Sequence, residues 1–191
     1  MTSVTIFGVG NMGDAIAEVL GAGGASVDHI SSSDTGKTVT GDIAILAVPY
    51  PALKDIIGRY RDQLAGKIVV DVTNPVDFET FDSLLVPAGS SASLELAAEL
   101  PSARVLKAFN TTFATTLAGK TIGPNKTTVL VAGDDEDAKS TLISAITAGG
   151  VDALDVGALG RAHELEAIGL LQVTLAAAEK ISWTGGLALV R

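Results

Sequence analysis

The sequence predicts a doubly wound α/β fold: a mostly parallel sheet with helices on both faces and a long apolar helix near the end. Three observations carry this. Short β-branched runs alternate with helical patterns along the chain. A glycine-rich turn joins the first such run to the first helix. Residues 43–48 (IAILAV) are continuously apolar, as expected of a parallel strand covered on both faces. The 191 residues are 47% hydrophobic and 18% charged, enough for one sizeable core. Aromatics make up only 4%, so Ala, Val, Leu and Ile must fill it.

In chain order, residues 4–7 read as a strand and 11–20 as a helix with Ile16, Ala17 and Leu20 at core spacing. Residues 26–30 and 43–48 are the second and third strands. Only about a dozen residues separate them (31–42, SSSDTGKTVTGD), just enough for a parallel crossover without its helix. Residues 52–64 place Leu53, Ile56, Ile57, Tyr60 and Leu64 on one helical face, and Gly66 ends the segment. A strand at 68–72, a helix at 94–100 stopped by Pro101, and a strand at 105–109 follow. Next come a strand at 127–132 and a helix to Ala148, opened by Asp134 and Asp135 where an N-cap and the helix dipole favour carboxylates. A last strand at 153–156 precedes the final helix, 161–183, which is apolar nearly all the way round and so reads as buried or interfacial. With no repeat or linker, residues 1–191 are expected to form one domain, with 161–191 a closing and dimerising helix and tail.

Charge and composition exclude several functions. A net charge of −9 lacks the basic footprint that nucleic acid or an anionic membrane needs. Without cysteine there is no disulfide framework, thiolate metal site or cysteine nucleophile. His29 and His163 lie too far apart in sequence to suggest a metal cluster. The start, MTSVTIFGVG, lacks the pattern of a secretory signal, and no uncharged window is long enough to span a bilayer. A cytoplasmic protein is expected.

The first strand runs into Gly8-Val9-Gly10-Asn11-Met12-Gly13, a G-x-G-x-x-G motif opening a helix. Gly8 suits the tight turn, Gly10 lets backbone approach a pyrophosphate, and Gly13 lets helix pack on strand. The anion then sits at the helix N-terminus, where free N–H groups and the dipole favour it. At the end of the second strand, an NAD site usually carries a carboxylate for the ribose hydroxyls. Here Ser31, Ser32 and Ser33 stand there, with Asp34 and Lys37 beyond. Hydroxyls and a lysine favour a 2′-phosphate, hence NADP over NAD. Asp34 reads either as a turn former or as a displaced NAD acceptor. Ligands of open α/β sheets lie over the carboxyl ends of the strands. Those ends are Val48-Pro49-Tyr50-Pro51, Thr73-Asn74-Pro75 and Ala108-Phe109-Asn110-Thr111-Thr112, small and polar groups suited to a flat ring and its carboxamide.

The segments IFGVGNMGDAIAEVL, AVPYPAL, KIVVDVTNP, KAFNTT and DVGALGRAHELE together resemble the deazaflavin (coenzyme F-420)-dependent NADP oxidoreductases. The same domain forms the cytosolic part of the six-transmembrane metalloreductases. The resemblance implies a Rossmann-type domain in a homodimer. By resemblance, Gly8, Gly10, Asn11, Met12 and Gly13 hold pyrophosphate, and Ser31 and Ser32 face the 2′-phosphate. Val48, Pro49, Asn74, Pro75, Ala108 and Asn110 would hold the nicotinamide riboside. Where the family often has an arginine beside the phosphate-binding serine, this chain has Ser32, so Lys37 is the candidate substitute. Another arginine of the family is replaced by His163.

The implied chemistry is hydride transfer between NADP(H) and a flat acceptor: deazaflavin, flavin, quinone or metal chelate. The cofactor carries that chemistry and needs no catalytic dyad. His163 therefore reads as structural, and no catalytic residue is assigned. Asp71, Asp77 and Asp82 read as solvated loop carboxylates, although Lys107 could pair with one of them. A non-catalytic NADP(H)-sensing module is the alternative. A pyrroline-carboxylate-reductase-like dehydrogenase is less favoured, because only some thirty residues follow the last strand and such enzymes add a helical domain of about a hundred.

Overall fold

The protein is described by a computed structural model covering residues 2–190. Strand β1 (Ser3–Phe7) leads into helix α1 (Asn11–Ala22), then β2 (Ser26–Ile30) and β3 (Ile43–Leu46). A 3₁₀ turn (Tyr50–Ala52) enters α2 (Leu53–Leu64), followed by β4 (Ile68–Asp71), α3 (Ala92–Glu99) and β5 (Arg104–Lys107). A five-residue α4 (Ala114–Ala118) and a small hairpin, β6 (Thr121–Ile122) with β7 (Asn125–Lys126), connect to β8 (Thr128–Gly133). Helix α5 (Glu136–Ala148), β9 (Asp152–Asp155), a 3₁₀ turn (Leu159–Arg161) and α6 (Ala162–Ala177) complete the order.

Seven strands form one sheet in the order β2-β1-β3-β4-β5-β8-β9. All neighbours are parallel except β5 and β8, which meet antiparallel over two residue pairs. Every residue of β3 and β4 is buried, which explains the apolar sequence of β3 and of β4 up to Val70; only Asp71, at the end of β4, is charged. One face packs α1 and α5 through Ile16, Val19, Leu20, Leu142 and Ile146. The other packs α2 and α3 through Leu53, Ile56, Tyr60, Leu64 and Leu96. The fold is thus doubly wound and mostly parallel.

The helix-free connection from β2 to β3 works because Gly41 lies flat on β1. A Cβ there would sit 2.4 Å from the Thr5 nitrogen, and the Gly41 N–H donates to Thr5 Oγ1 at 2.9 Å. The chain therefore passes from one side of β1 to the other, and the strand order reverses between β1 and β3. That reversal opens a crevice at their carboxyl ends.

Several expectations need correction. Strands β3, β4 and β5 end one or two residues early, where the backbone leaves the ladder to form the loops of the carboxyl edge. Helix α6 stops at Ala177, six residues short of the expected end, and Glu179 just beyond has φ 57°. Its buried residues include Glu166 and Gln172, so its inner face is not purely apolar. Asp135 caps α5 by accepting from the Ala138 N–H, but Asp134 instead accepts from the Leu159 N–H. Asp71 is fully buried rather than solvated. Helix α4 and the β6–β7 hairpin have no counterpart in the sequence reading. Among the described residues, no helix is long and apolar enough to cross a membrane.

Candidate functional site

The glycine turn has the geometry its motif requires. Gly8 has φ 114°, and a Cβ on it would lie 2.3 Å from the Ala47 carbonyl oxygen of the neighbouring strand exit. The Gly13 position is closed by the Gly8 carbonyl at 2.9 Å. At Gly10, by contrast, a Cβ would meet nothing within 4 Å. Gly10 is the N-cap of α1 and offers no side-chain cap, so the first-turn N–H groups face open space. This cradle has the openness and polarity that a pyrophosphate needs.

At the end of β2, the serine turn is built around Asp34. Its carboxylate accepts from the Ser31 N–H at 2.7 Å and from Ser31 Oγ at 2.8 Å, which holds its pKa below the ordinary value. Asp34 is therefore a turn former, with its acid group folded back on Ser31. The Ser31 hydroxyl is engaged in that turn, while Ser32 and Ser33 remain exposed. Lys37 pairs with Asp28 at 3.2 Å and donates to the His29 carbonyl. A cation that the sequence reading missed stands at this turn. Arg59, on α2, donates from Nη2 to the Asp34 carbonyl at 2.9 Å. Its nearest carboxylate is Asp55, one helical turn earlier, at 3.4 Å. The only local signal was a charged residue on the outer side of an amphipathic helix, which is ordinary.

Beyond the cradle, a cleft of about 940 Å³ runs over the carboxyl ends of β3, β4 and β5. Gly10, Asn11, Met12, Val48, Pro49, Asn74 and Asn110 all line it. Pro75 and Ala108 are buried and do not, so these two expected rim residues shape the edge from beneath. Two side chains fix the floor. Asn74 donates to the Asn110 carbonyl at 2.8 Å, and Asn110 Nδ2 donates both to Asn74 Oδ1 and to the Leu165 carbonyl at 2.9 Å. Asn110 Oδ1 and the Thr73 hydroxyl oxygen are left buried without a partner among the described residues. A carboxamide offers both the donor and the acceptor that these atoms lack. Tyr50 also lines the cleft, but its phenol donates to Glu95 at 2.6 Å. Burial and that carboxylate push its pKa up to about 12, so it is no proton source near neutrality.

Directly behind Thr73 lies a fully buried charge cluster. Lys107 Nζ donates to Asp71 at 2.8 Å, to Glu166 at 2.8 Å and to the Thr73 carbonyl at 2.6 Å. All three charged side chains have no exposed surface. Asp71 also accepts from the Thr73 N–H and the Ser93 hydroxyl, and Glu166 from the Ala92 N–H. The pairing foreseen for Lys107 thus exists, with a second carboxylate from α6. Burial raises the Glu166 pKa, against the pull of the Lys107 ammonium. The cluster ties β4, β5, α3 and α6 together beneath the rim. His163 is tied to the Ser90 carbonyl at 3.0 Å.

Comparison with known proteins agrees with this architecture. The family model described as "NADP oxidoreductase coenzyme F420-dependent" matches residues 25–75. The F420-dependent NADP reductase of Methanocaldococcus jannaschii is 31% identical over 172 residues, covering 88% of this chain and 77% of that one. The chain belongs to the F420-dependent NADP reductase family. The rat metalloreductase STEAP3 is 43% identical over 110 residues, which is 57% of this chain but 21% of the rat protein. The chain therefore spans about a fifth of that relative. A crystal structure from Arthrobacter sp. FB24, described as an F420-dependent NADP reductase, matches with a TM-score of 0.84. Sequence identity there is 20% with both chains covered in full, a likeness of fold.

Proposed function

We propose that the protein, as a cytoplasmic homodimer, transfers hydride between NADP(H) and a planar redox acceptor of the deazaflavin, flavin, quinone or metal-chelate type. The observation that carries this reading is the continuity of one cleft. It runs from the open N-terminus of α1 to the unpartnered Thr73 and Asn110 oxygens. The nicotinamide supplies the hydride chemistry. The protein's residues orient and enclose: Gly8, Gly10, Asn11, Met12 and Gly13 hold the diphosphate, and Asn74 and Asn110 hold the carboxamide end. Val48 and Pro49 cover the ring from the β3 side. The exposed apolar side chains Leu171, Leu187, Leu189 and Val190, on α6 and the segment after it, support the dimer. Purified protein should oxidise NADPH with at least one such acceptor and elute as a dimer. Tight NADPH binding without turnover of any acceptor would leave the sensing role instead.

NADP preference rests on the serine turn and Arg59 rather than on Lys37. The Asp34 carboxylate is turned back on Ser31, and the Arg59 guanidinium donates to the Asp34 carbonyl of the turn that carries the exposed Ser32 and Ser33. Arginine reads a phosphate through several N–H donors at once. Arg59→Ala should weaken NADPH binding about tenfold, ~1.4 kcal/mol, and leave NADH binding unchanged. Equal loss for both nucleotides, in paired titrations, would remove Arg59 from the phosphate pocket.

A further inference from the structure

Helix α6 meets the rim of the cleft along one strip. Leu165, Gly169 and Gln172 follow at helical spacing and are all buried, so they share one face. The Leu165 carbonyl accepts from Asn110 Nδ2 at 2.9 Å, and Gln172 Nε2 donates to the Thr111 carbonyl at 2.8 Å. Between them Gly169 has no side chain, and the Asn74 amide fills the space that one would take. A Cβ on Gly169 would lie 2.1 Å from Asn74 Oδ1, 2.6 Å from its Cγ and 2.8 Å from its Nδ2. Asn74 thus occupies a slot in α6, and Gly169 itself lines the cleft beside it. Glycine is a poor helix former, and no left-handed backbone angle calls for one here.

The slot decides how two amides point. The Asn110 main-chain carbonyl only accepts, so it takes Asn74 Nδ2 and leaves Asn74 Oδ1 for the Asn110 side chain. Asn74 Oδ1 and the Leu165 carbonyl are both acceptors, and together they use both N–H groups of Asn110 Nδ2. Two such bonds fix the plane of the Asn110 amide. What remains is Asn110 Oδ1, buried and without a partner among the described residues. It accepts and cannot donate. The ligand group that satisfies it must carry an N–H or O–H.

We infer that Gly169 is a positioning residue: through Asn74 it fixes the Asn110 amide, so that the cleft selects a nicotinamide carboxamide by its NH2 group. The inference rests on the dinucleotide reading above and adds what sets specificity at the ring end. The helical backbone at residue 169 accepts alanine, and the obstacle to its methyl group is the tip of one side chain. A methyl there displaces the Asn74 amide and leaves the helix in place. Asn110 then keeps only its bond to Leu165, and its amide turns about the Cβ–Cγ bond. The carboxamide loses a fixed acceptor.

The test compares NADP+ with its 3-acetylpyridine analogue, in which a methyl group replaces the NH2 and the carbonyl is kept. Calorimetric titration measures binding, with thermal melting alongside. Wild-type protein should bind NADP+ about tenfold more tightly than the analogue, which leaves Asn110 Oδ1 unsatisfied. Gly169→Ala should melt at or above the wild-type temperature, since alanine favours the helix, while the preference falls to about twofold or less. Asn74→Ala should reduce the preference likewise, and adding Gly169→Ala to it should change nothing further. An unchanged preference in Gly169→Ala would overturn the inference, as would losses that add in the double variant, because the two residues would then act apart. Melting far below wild type would also overturn it: Asn74 would be immovable and the glycine a packing requirement alone. Wild-type protein that binds both nucleotides equally well refutes the inference and leaves the dinucleotide site standing. Protein that binds neither removes both readings.

Discussion

Replacing Lys107 by Met should cost the fold on the order of 3–5 kcal/mol, against the 5–15 kcal/mol typical of a whole domain. The ammonium is the shared partner of Asp71 and Glu166, and all three side chains are completely buried. Without it, two carboxylates face each other in a medium that solvates neither. Their other donors, the Thr73 and Ala92 N–H groups and the Ser93 hydroxyl, remain but do not neutralise them. Adding Glu166→Gln should recover part of the loss, since removing a second charge relieves the first removal. Urea unfolding of the single and double variants measures this directly, and a single variant with a wild-type midpoint would refute it.

The pH dependence of that variant has a definite sign. Burial already holds the folded Glu166 pKa above its ordinary 4.5, and Lys107 is the main force opposing the rise. Removing the lysine raises it further. A carboxyl whose folded pKa exceeds its unfolded value binds more protons when folded, so its contribution to stability falls as pH rises through the interval between the two. Lys107→Met should therefore be more stable near about pH 5 than near about pH 8, and its slope should be steeper than the wild type's. A variant that gains stability toward alkaline pH would show that Glu166 is not the group left exposed to the missing charge.

This cluster also marks where the sequence stops being readable. Lys107 lies 36 residues from Asp71 and 59 from Glu166, and nothing local ties them together. Glu166 sits near the start of α6, two residues after the exposed Glu164, where an acid reads as a second solvated charge rather than a core partner. The same holds for Arg59, whose role depends on α2 packing beside the end of β2. By contrast, the glycine turn and the Val48, Asn74 and Asn110 loops were legible. Each is a short-range pattern in which turn chemistry directly follows a strand. The antiparallel β8 was not legible either: strand direction depends on how the chain returns after β5, and the five-residue α4 carries no strong periodic signal. The early end of α6 follows from packing, because only the segment up to Ala176 finds buried neighbours.

Gly10→Val and Gly8→Ala should separate binding from folding at one turn. At Gly10 the backbone is extended, φ −93° and ψ 175°, which any residue adopts, and an added Cβ meets nothing within 4 Å. The valine variant should fold with an unchanged melting temperature. Its methyl groups, however, occupy the space over the α1 N-terminus that a diphosphate must enter. NADPH and NADH binding should both weaken at least a hundredfold, ~2.7 kcal/mol, because both nucleotides share that group. At Gly8 the obstacle is the protein itself. The left-handed φ of 114° strains any side chain, and the new carbon would lie 2.3 Å from the Ala47 carbonyl oxygen. That backbone is fixed by the Ala47 N–H bond to the Phe7 carbonyl at 3.0 Å, so it cannot give way without loosening β1 from β3. Gly8→Ala should lower stability by about 1–3 kcal/mol as well as weaken both nucleotides. Calorimetric titration and thermal melting of the two variants distinguish the cases. If Gly10→Val keeps wild-type affinity, no dinucleotide approaches α1 along its axis, and the cleft must be entered from another side.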